Sequence, residues 1–195
     1  MSSRDDILAA LRRNQPAPAA LPPLPAFAAP AGTLLERFKA GVVRMGGKIV
    51  LPAPGADVVS LLRELFPDAG VVASGTPEVP GTRDLAKVKA PSALADVDVG
   101  VVRAVFGVAE TGSVWLTDRE FVVPSLGFLS QHLVVLLDPA CIAGSMHDAY
   151  ARREQFDARY GVFMTGPSAT ADIEGVLIHG AQGIRSMTVV LIAPR

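Results

Sequence analysis

The sequence is poor in cysteine: its 195 residues include one, Cys141. A single cysteine cannot form a disulfide within the chain or supply the thiolates of a zinc or iron–sulfur site. The three histidines are widely spaced, with no His-x-x-x-His pair, and no nucleotide-binding fingerprint is present. We therefore expect no metal and no cofactor on this chain, and a cytoplasmic location as the default for a chain without disulfides.

The chain also lacks an excess of charge of either sign, since 18 Lys and Arg residues stand against 19 Asp and Glu residues. A nearly neutral chain has no field that would hold nucleic acid or an anionic membrane, so neither is an expected partner. The uncharged stretch from Phe121 to Leu137 is interrupted by proline, glycine and polar residues, which excludes a membrane span of ~20 apolar residues. Asp5 and Asp6 stand where a secretory signal would be apolar, so no signal is expected.

Apolar residues are plentiful, at 50% of the chain, which is enough for a buried core. Residues 1–13 are predicted to form an amphipathic helix, capped by Ser3 and followed by acidic residues. This helix is either a surface helix packed on the main body or a docking element for a partner. Residues 14–31 contain six prolines and are predicted to be a Pro/Ala-rich linker. An α/β domain is predicted over residues 32–195.

The predicted elements of that domain favour an α/β fold with a mixed sheet flanked by helices. A capping box at Thr33 starts one helix and Asp57 caps the next, with short strands at 48–51 and 71–73. The dense β-branched run over 95–108 is typical of a buried central strand. Further strands are predicted at 113–116, 132–137, 161–165 and 186–193, and a helix with a charged face is predicted at 143–159.

The first candidate site is a short polar break, Ala109-Glu110-Thr111-Gly112-Ser113, between two apolar strands. Glu110 there is a candidate acid, base or nucleophile, or else a turn carboxylate that accepts hydrogen bonds from nearby backbone donors. The residues alone favour neither interpretation. Arg103 lies in the predicted central strand, where an arginine normally pairs with a carboxylate or binds an anion. Glu110 is its candidate partner.

The second candidate site runs from Thr165 to Glu174. Gly166, Ser168 and Thr170 have the residue types of a loop that holds a phosphate or carboxylate near a helix start, although Asp172 would weaken such binding. The bare pattern favours a simpler interpretation, a turn in which Ser168 or Thr170 caps a helix. No lysine follows the glycine, so this is not a Walker loop.

Among the histidines, His179 is the best acid–base candidate, because it is predicted to lie in a loop beside the last strand. His132 is predicted to begin a strand, in a structural role or at the edge of a site. His147 is predicted to lie on a helix and to be solvated. No Gly-x-Ser-x-Gly elbow is present, so the sequence lacks the main feature that would indicate a serine hydrolase.

The Glu110-Thr111-Gly112 motif, followed by Gly166-Pro167-Ser168 and later by His179-Gly180, resembles the lactate-utilisation protein C family, the LUD domain. The resemblance covers roughly residues 33–195. It implies a fold like that of the NagB/RpiA/CoA-transferase group and a role in oxidising L-lactate to pyruvate. It also implies partner proteins that carry the iron–sulfur clusters. The site residues that it implies are Glu110, Thr111, Gly112, Gly166, Ser168, Thr170, Asp172 and His179.

Two positions depart from the family pattern. Ala169 stands where a basic residue is usual, which weakens the expected anion binding at that loop, and Ala181 stands where proline is usual. Two other functions stay open beside the accessory role in lactate utilisation. One is a free-standing acyl- or CoA-transferase-like enzyme with Glu110 as nucleophile. The other is a non-catalytic module that binds a small hydroxy acid or a phosphorylated metabolite. The sequence does not decide whether the chain is an enzyme.

Overall fold

The computed structural model describes residues 2–23, 25, 28, 30–53, 55–152, 156–173 and 176–193, with the side chains of 171–173 outside that description. The chain divides into two compact units, Met1–Pro30 and Ala31–Arg195. The described strands and the candidate sites belong to the second unit. None of the described helices is long and apolar enough to cross a membrane.

The first unit contains helix α1 (Ser3–Arg13). Its N-cap is Ser2, one residue before the predicted cap, and the Ser2 hydroxyl and the Asp5 carboxylate form a reciprocal capping box. No residue of α1 is buried, and Ile7 and Leu11 are each 61% exposed. The described residues that follow α1 in this unit form neither helix nor strand.

The second unit has five α-helices among its described residues: α2 (Leu34–Arg44), α3 (Val58–Leu65), α4 (Asp118–Phe121), α5 (Leu126–Leu129) and α6 (Met146–Ala151). Its described strands are β1 (Lys48–Val50), β2 (Val72–Ser74), β3 (Val99–Arg103), β4 (Phe106–Val108), β5 (Ser113–Thr117), β6 (His132–Leu137), β7 (Ile142–Ala143), β8 (Gly161–Met164), β9 (Ala169–Ile173), β10 (Val176–His179) and β11 (Ser186–Leu191). Short 3₁₀ turns occupy Leu85–Lys87, Pro91–Leu94 and Pro139–Cys141.

The larger sheet has five parallel strands in the order β1-β11-β6-β3-β2. Its central strands are apolar on both faces, as expected of parallel strands covered on both sides. Val102 and Val135 pack into one hydrophobic cluster, whereas Val101 and Val134 pack into another on the opposite face, where α3 is also seated. This sheet is therefore the buried centre of the unit.

The smaller sheet has four strands in the order β7-β4-β5-β8 and mixes parallel with antiparallel pairs. A separate antiparallel hairpin joins β9 to β10. The predicted α/β class with flanking helices is confirmed. The described strand pairs of the larger sheet are all parallel, whereas the smaller sheet is mixed.

The single strand predicted over 95–108 is wrong, because the run contributes to both sheets. β3 ends at Arg103 and β4 begins at Phe106. Between them, the Ala104 N–H bonds to Leu136 of the larger sheet and the Val105 N–H bonds to Trp115 of the smaller one. The chain thus passes from one sheet to the other within two residues.

The helix predicted over 143–159 is also too long. Ala143 belongs to β7, which pairs with β4, and Ser145 caps α6, which ends at Ala151. Residues 157–160 are not helical, and residues 153–155 lie outside the described residues. Pairing with β4 takes precedence over the local helical pattern at the start of this segment.

Candidate functional site

A cavity of about 410 Å³ opens at the carboxyl ends of β2 and β3. It is lined by residues 75–78, which follow β2, and by Arg119 and Glu120 of α4. The remaining lining residues are Arg103, the last residue of β3, and the two residues that follow it. α/β proteins bind ligands at this edge of a parallel sheet, and the volume is in the range of small-molecule sites. We call this cavity the Arg103 cleft.

Arg103 pairs in the cleft with Glu78, not with Glu110 as predicted. Its Nε donates a hydrogen bond of 2.6 Å to Glu78 Oε1, and its Nη2 lies 2.6 Å from the same oxygen. The two side chains are 22% and 10% exposed. Nη1 makes a long bond, 3.4 Å, to the Ile192 carbonyl. Nη2 is buried and, despite its short contact, forms no well-directed hydrogen bond with any described residue.

The Glu78 carboxylate is held in its ionised form. Burial acts to raise its pKa, but hydrogen bonds from the Thr76 hydroxyl, from its own backbone N–H and from Arg103 act in the opposite direction and outweigh burial. The pKa therefore lies below its usual value of 4.5. At neutral pH Glu78 is an acceptor of hydrogen bonds only.

The rim of the cleft is formed by α4. Arg119 is 65% exposed and donates to the Asp157 carbonyl. Glu120 accepts from the backbone N–H and hydroxyl of Thr117, which completes the capping box of α4. Val122, next after α4, has φ of 61°, a value that costs a β-branched residue about 1–3 kcal/mol. Strain of this kind concentrates at functional sites.

Glu110 lies elsewhere, in the turn between β4 and β5, and is exposed. Its Oε2 accepts a hydrogen bond of 2.8 Å from the Met146 N–H at the start of α6, and its carbonyl accepts one from Arg44. These contacts match the interpretation of Glu110 as a turn carboxylate that satisfies backbone donors. It is not among the residues that line the Arg103 cleft.

Hydroxyl groups connect the two predicted motifs. The Ser113 hydroxyl donates to Thr111 Oγ1 at 2.7 Å and lies 2.6 Å from Thr165 Oγ1. Gly112, at φ +73°, packs directly on the backbone of Gly41 in α2, where a Cβ on Gly112 would lie 2.3 Å from the Gly41 carbonyl carbon. The glycine of this motif is therefore required by packing.

The second motif is a loop that leads into strand β9, not the predicted helix start. Gly166 packs on the Met45 carbonyl at the end of α2. The Ser168 N–H donates to the Ile184 carbonyl, and Thr170 pairs with Ile178 in the hairpin. Among the described residues a strand follows the loop, so the helix start in both interpretations is wrong, and anion binding by Gly166, Ser168 and Thr170 stays a prediction. The backbone of Asp172 lies in β9, and its side chain is outside the described residues.

His179 is the last residue of β10, not a loop residue as predicted, and it is exposed. Its ring and Pro167 flank Gly46, just beyond α2. The carboxyl-terminal half of α2 thus contacts Gly112, and Met45 and Gly46 just beyond this helix contact Gly166 and His179. The structure brings these three predicted site residues to the end of α2, whereas Arg103 lies in the separate cleft.

His132 begins β6, as predicted, at the amino edge of the large sheet, where it is paired with Val99 and Ser186. Its Nδ1 lies 2.7 Å from the Ser186 hydroxyl, and its ring packs on Phe66. This edge is opposite the Arg103 cleft, so the contacts favour a structural role. His147 lies on α6 and is exposed, also as predicted.

His132 is expected to make stability depend on pH. Burial lowers its pKa below 6.5, the charges of Arg185 and Lys48 lower it further, and Asp98 opposes them only in part. The unfolded chain then binds the proton more readily, so the unfolding free energy is retained above about pH 6.5 and falls as the pH decreases below it. Urea unfolding between pH 7.5 and 5.5 measures this slope. His132→Gln should flatten it, and an equal slope in the wild type and the variant would contradict the assignment.

Sequence reasoning missed Thr76, Glu78 and Arg119. One signal was present: Thr76 and Glu78 directly follow a predicted strand, where polar residues reach the sheet edge. The adjacency of β2 to β3, which brings Glu78 to Arg103, has no local signal. Within the described part of the chain, no group of three His, Cys, Asp or Glu side chains is placed to hold a metal ion.

The family model described as the LUD domain matches residues 79–192. The chain belongs to the LUD domain family. The predicted resemblance is confirmed, and membership indicates involvement in lactate utilisation in general terms. The matched region contains Arg103 and both motifs of this LUD domain protein; Glu78 directly precedes it.

A solved structure shares the fold of this LUD domain protein. It is the crystal structure of a DUF162 family protein from Deinococcus radiodurans, with 15% identity and a TM-score of 0.59 over 82% of this chain and 96% of that one. A comparison with curated proteins gives no match.

Proposed function

We propose that this LUD domain protein is an accessory component of an L-lactate utilisation system and acts with iron–sulfur partner proteins that oxidise lactate to pyruvate. The observation that carries the proposal is the family match over residues 79–192. The oxidation releases two electrons, and iron–sulfur clusters are usually held by four thiolates. The only cysteine of this sequence is Cys141, so its residues do not fit such a cluster. The proposal therefore assigns the electron acceptor to the partners.

The contribution of this chain is then the binding of a small organic acid. The Arg103 cleft supports this role, because it places a guanidinium at the ligand-binding edge of a parallel sheet. Arginine matches the planar geometry of a carboxylate. No redox step is assigned to the residues of this chain.

Two experiments test the proposal with the full chain. Deletion of its gene is expected to abolish growth on L-lactate as sole carbon source and to leave growth on pyruvate intact. Unimpaired growth on lactate would contradict the function. The tagged chain, purified gently from its own cells, is expected to retain partners whose visible absorption and native mass indicate iron–sulfur clusters. Recovery of the chain alone from lactate-grown cells would contradict the association.

The hydrogen bond that Glu110 accepts at the start of α6 leads to a separate prediction. Glu110→Ala removes the acceptor of the Met146 N–H and should lower the unfolding free energy by about 0.5–1 kcal/mol, measured by urea unfolding. Glu110→Gln keeps an acceptor oxygen and should lose less. Intact-mass measurement after incubation with acetyl-CoA is expected to show an unchanged protein. An adduct on Glu110 would instead support the transferase-like alternative.

A further inference from the structure

We propose that helix α1 is a recognition helix that inserts into an apolar groove of a partner protein, a groove with basic residues at one end and acidic residues at the other. The inference goes beyond the proposed function by naming the docking surface of this chain and the chemistry of the surface that receives it. It rests on that function only for the place to look for the partner, which is among the proteins of lactate-grown cells.

Helix α1 presents its apolar side chains to solvent. Ile7 and Leu11 are each 61% exposed and Leu8 is 37% exposed. At about 100° per residue, the three lie within roughly 100° of one another around the helix axis. A helix stripe of this kind normally packs against a neighbouring element. No residue of α1 is buried, so the stripe is accessible to a second molecule.

The ends of α1 hold it in a helical conformation before any partner binds. Its 11 residues are fewer than the ~12–15 that an isolated helix needs in water. The Ser2 hydroxyl and the Asp5 carboxylate form the capping box at 2.9 Å, and the Asn14 N–H donates to the Ala10 carbonyl at 3.1 Å. Burial of the stripe in a groove would supply the packing that most helices in proteins depend on.

The small size of α1 disfavours a second copy of the same helix as its partner. A helix of 11 residues is about 16 Å long and about 10–12 Å wide. Two such helices side by side bury far less than the roughly 1,200 Å² of a stable interface. A groove encloses the stripe from both sides and adds its own surrounding surface to the contact. We therefore infer a groove on a larger protein.

The charges of α1 set the direction in which it would lie in the groove. Asp5 and Asp6 are in the first turn, and Arg12 and Arg13 are in the last, where they also stabilise the helix dipole. The ion pairs among the described residues do not include Asp6, Arg12 or Arg13, so these groups can pair with complementary charges on a partner. A lipid surface matches less well, because α1 has no aromatic residue and its charges are of both signs.

The segment after α1 gives the helix reach. Residues 14–23 form neither helix nor strand and contain Pro16, Pro18, Pro22 and Pro23. A proline-rich segment is a semi-rigid spacer, and at about 3.1 Å per residue this one spans about 30 Å when extended. A recognition helix on such a tether adds a second point of contact to a complex and raises its overall affinity.

The first test identifies the surface that α1 contacts. The tagged full chain, with the photo-cross-linker p-benzoylphenylalanine in place of Leu8, is irradiated in lactate-grown cells and its cross-linked peptides are mapped. We expect cross-links to apolar residues of one protein, with basic residues on the side of Asp5 and acidic residues on the side of Arg12. Cross-links to a second copy of this chain, to lipid or to many unrelated proteins would overturn the inference, and so would the absence of cross-links.

The second test measures the affinity of the full chain for the cross-linked protein by biolayer interferometry. Ile7→Asp places a charge in the apolar groove, so binding should weaken about ten-fold or more. Ala9→Asp is the matched control, because it adds the same side chain about 200° away around the helix and should change the affinity less than about two-fold. Circular dichroism compares the helix content of the two variants. Equal affinities of the Ile7→Asp variant and the wild type would overturn the inference.

The inference and the proposed function fail through different results. A cross-linked protein that requires Ile7 but shows no iron–sulfur absorption would contradict the proposed association and leave the recognition helix standing. An iron–sulfur partner that binds the Ile7→Asp variant as tightly as the wild type would support the proposed association and overturn the role of α1. Growth of the deletion strain on lactate tests the proposed function alone.

Discussion

Replacement of Gly112 by alanine is expected to lower the unfolding free energy by about 3 kcal/mol or more, a large share of the roughly 5–15 kcal/mol that stabilises a typical domain. Two costs combine. Gly112 has φ of +73°, a conformation that costs an L-residue about 1–2 kcal/mol. The added Cβ would also lie 2.3 Å from the Gly41 carbonyl carbon and the Val42 nitrogen, and backbone atoms cannot rotate away as a side chain can.

Gly55→Ala is the matched control for Gly112→Ala. Gly55 has φ of +77°, and no described atom lies within 4 Å of the position that a Cβ on Gly55 would occupy. This variant should therefore show only the conformational cost, about 1–2 kcal/mol. Urea unfolding of the three proteins separates the two costs. Equal losses in the two variants would show that the contact with α2 does not constrain Gly112.

Glu78→Ala is expected to lower the unfolding free energy by about 2–4 kcal/mol at pH 7, because it leaves the Arg103 guanidinium largely buried without its carboxylate. The double variant Glu78→Leu with Arg103→Met removes both charges. It should recover at least about 1 kcal/mol relative to Glu78→Ala. Urea unfolding of the wild type, Glu78→Leu, Arg103→Met and the double variant measures the coupling, with Glu78→Ala measured beside them.

Lys87→Ala is the control for the pair. Lys87 forms an exposed contact of 3.1 Å with Asp84, and exposed pairs contribute little, so the unfolding midpoint of this variant should barely change. The Glu78 contribution should be present above about pH 4.5 and lost as the pH falls further, since its folded pKa lies below the unfolded value. A double variant no more stable than Glu78→Ala would contradict the ion-pair interpretation.

Sequence patterns that act within a few residues predicted much of this protein. The capping box of Thr33 with Glu36 and the cap at Asp57 are both confirmed. Each cap bond spans three residues, so the sequence alone identifies both partners. The alternation of strand and helix patterns was sufficient to predict the α/β class, and two short motifs were sufficient to predict the family.

Patterns that depend on pairing partners misled the prediction. The run over 95–108 is continuous in sequence, but its two halves bond to different sheets on either side of Ala104 and Val105. Thr170 has the residue type of a helix cap, yet it pairs with Ile178 of β10. Local propensity gives no information about a strand partner that lies elsewhere in the chain.

The sequence by itself was sufficient to predict the fold class and the family. It also showed too few cysteines to bind an iron–sulfur cluster, and it identified Arg103 as a candidate site residue. Tertiary structure alone decided that Arg103 pairs with Glu78, 25 residues away, and that Glu110 accepts from the Met146 N–H at the start of α6. It also decided that Gly112 is required by α2, because Gly41 approaches its backbone. Caps and hydrophobic periods are local, whereas ion pairs and backbone packing depend on which strands and helices become neighbours.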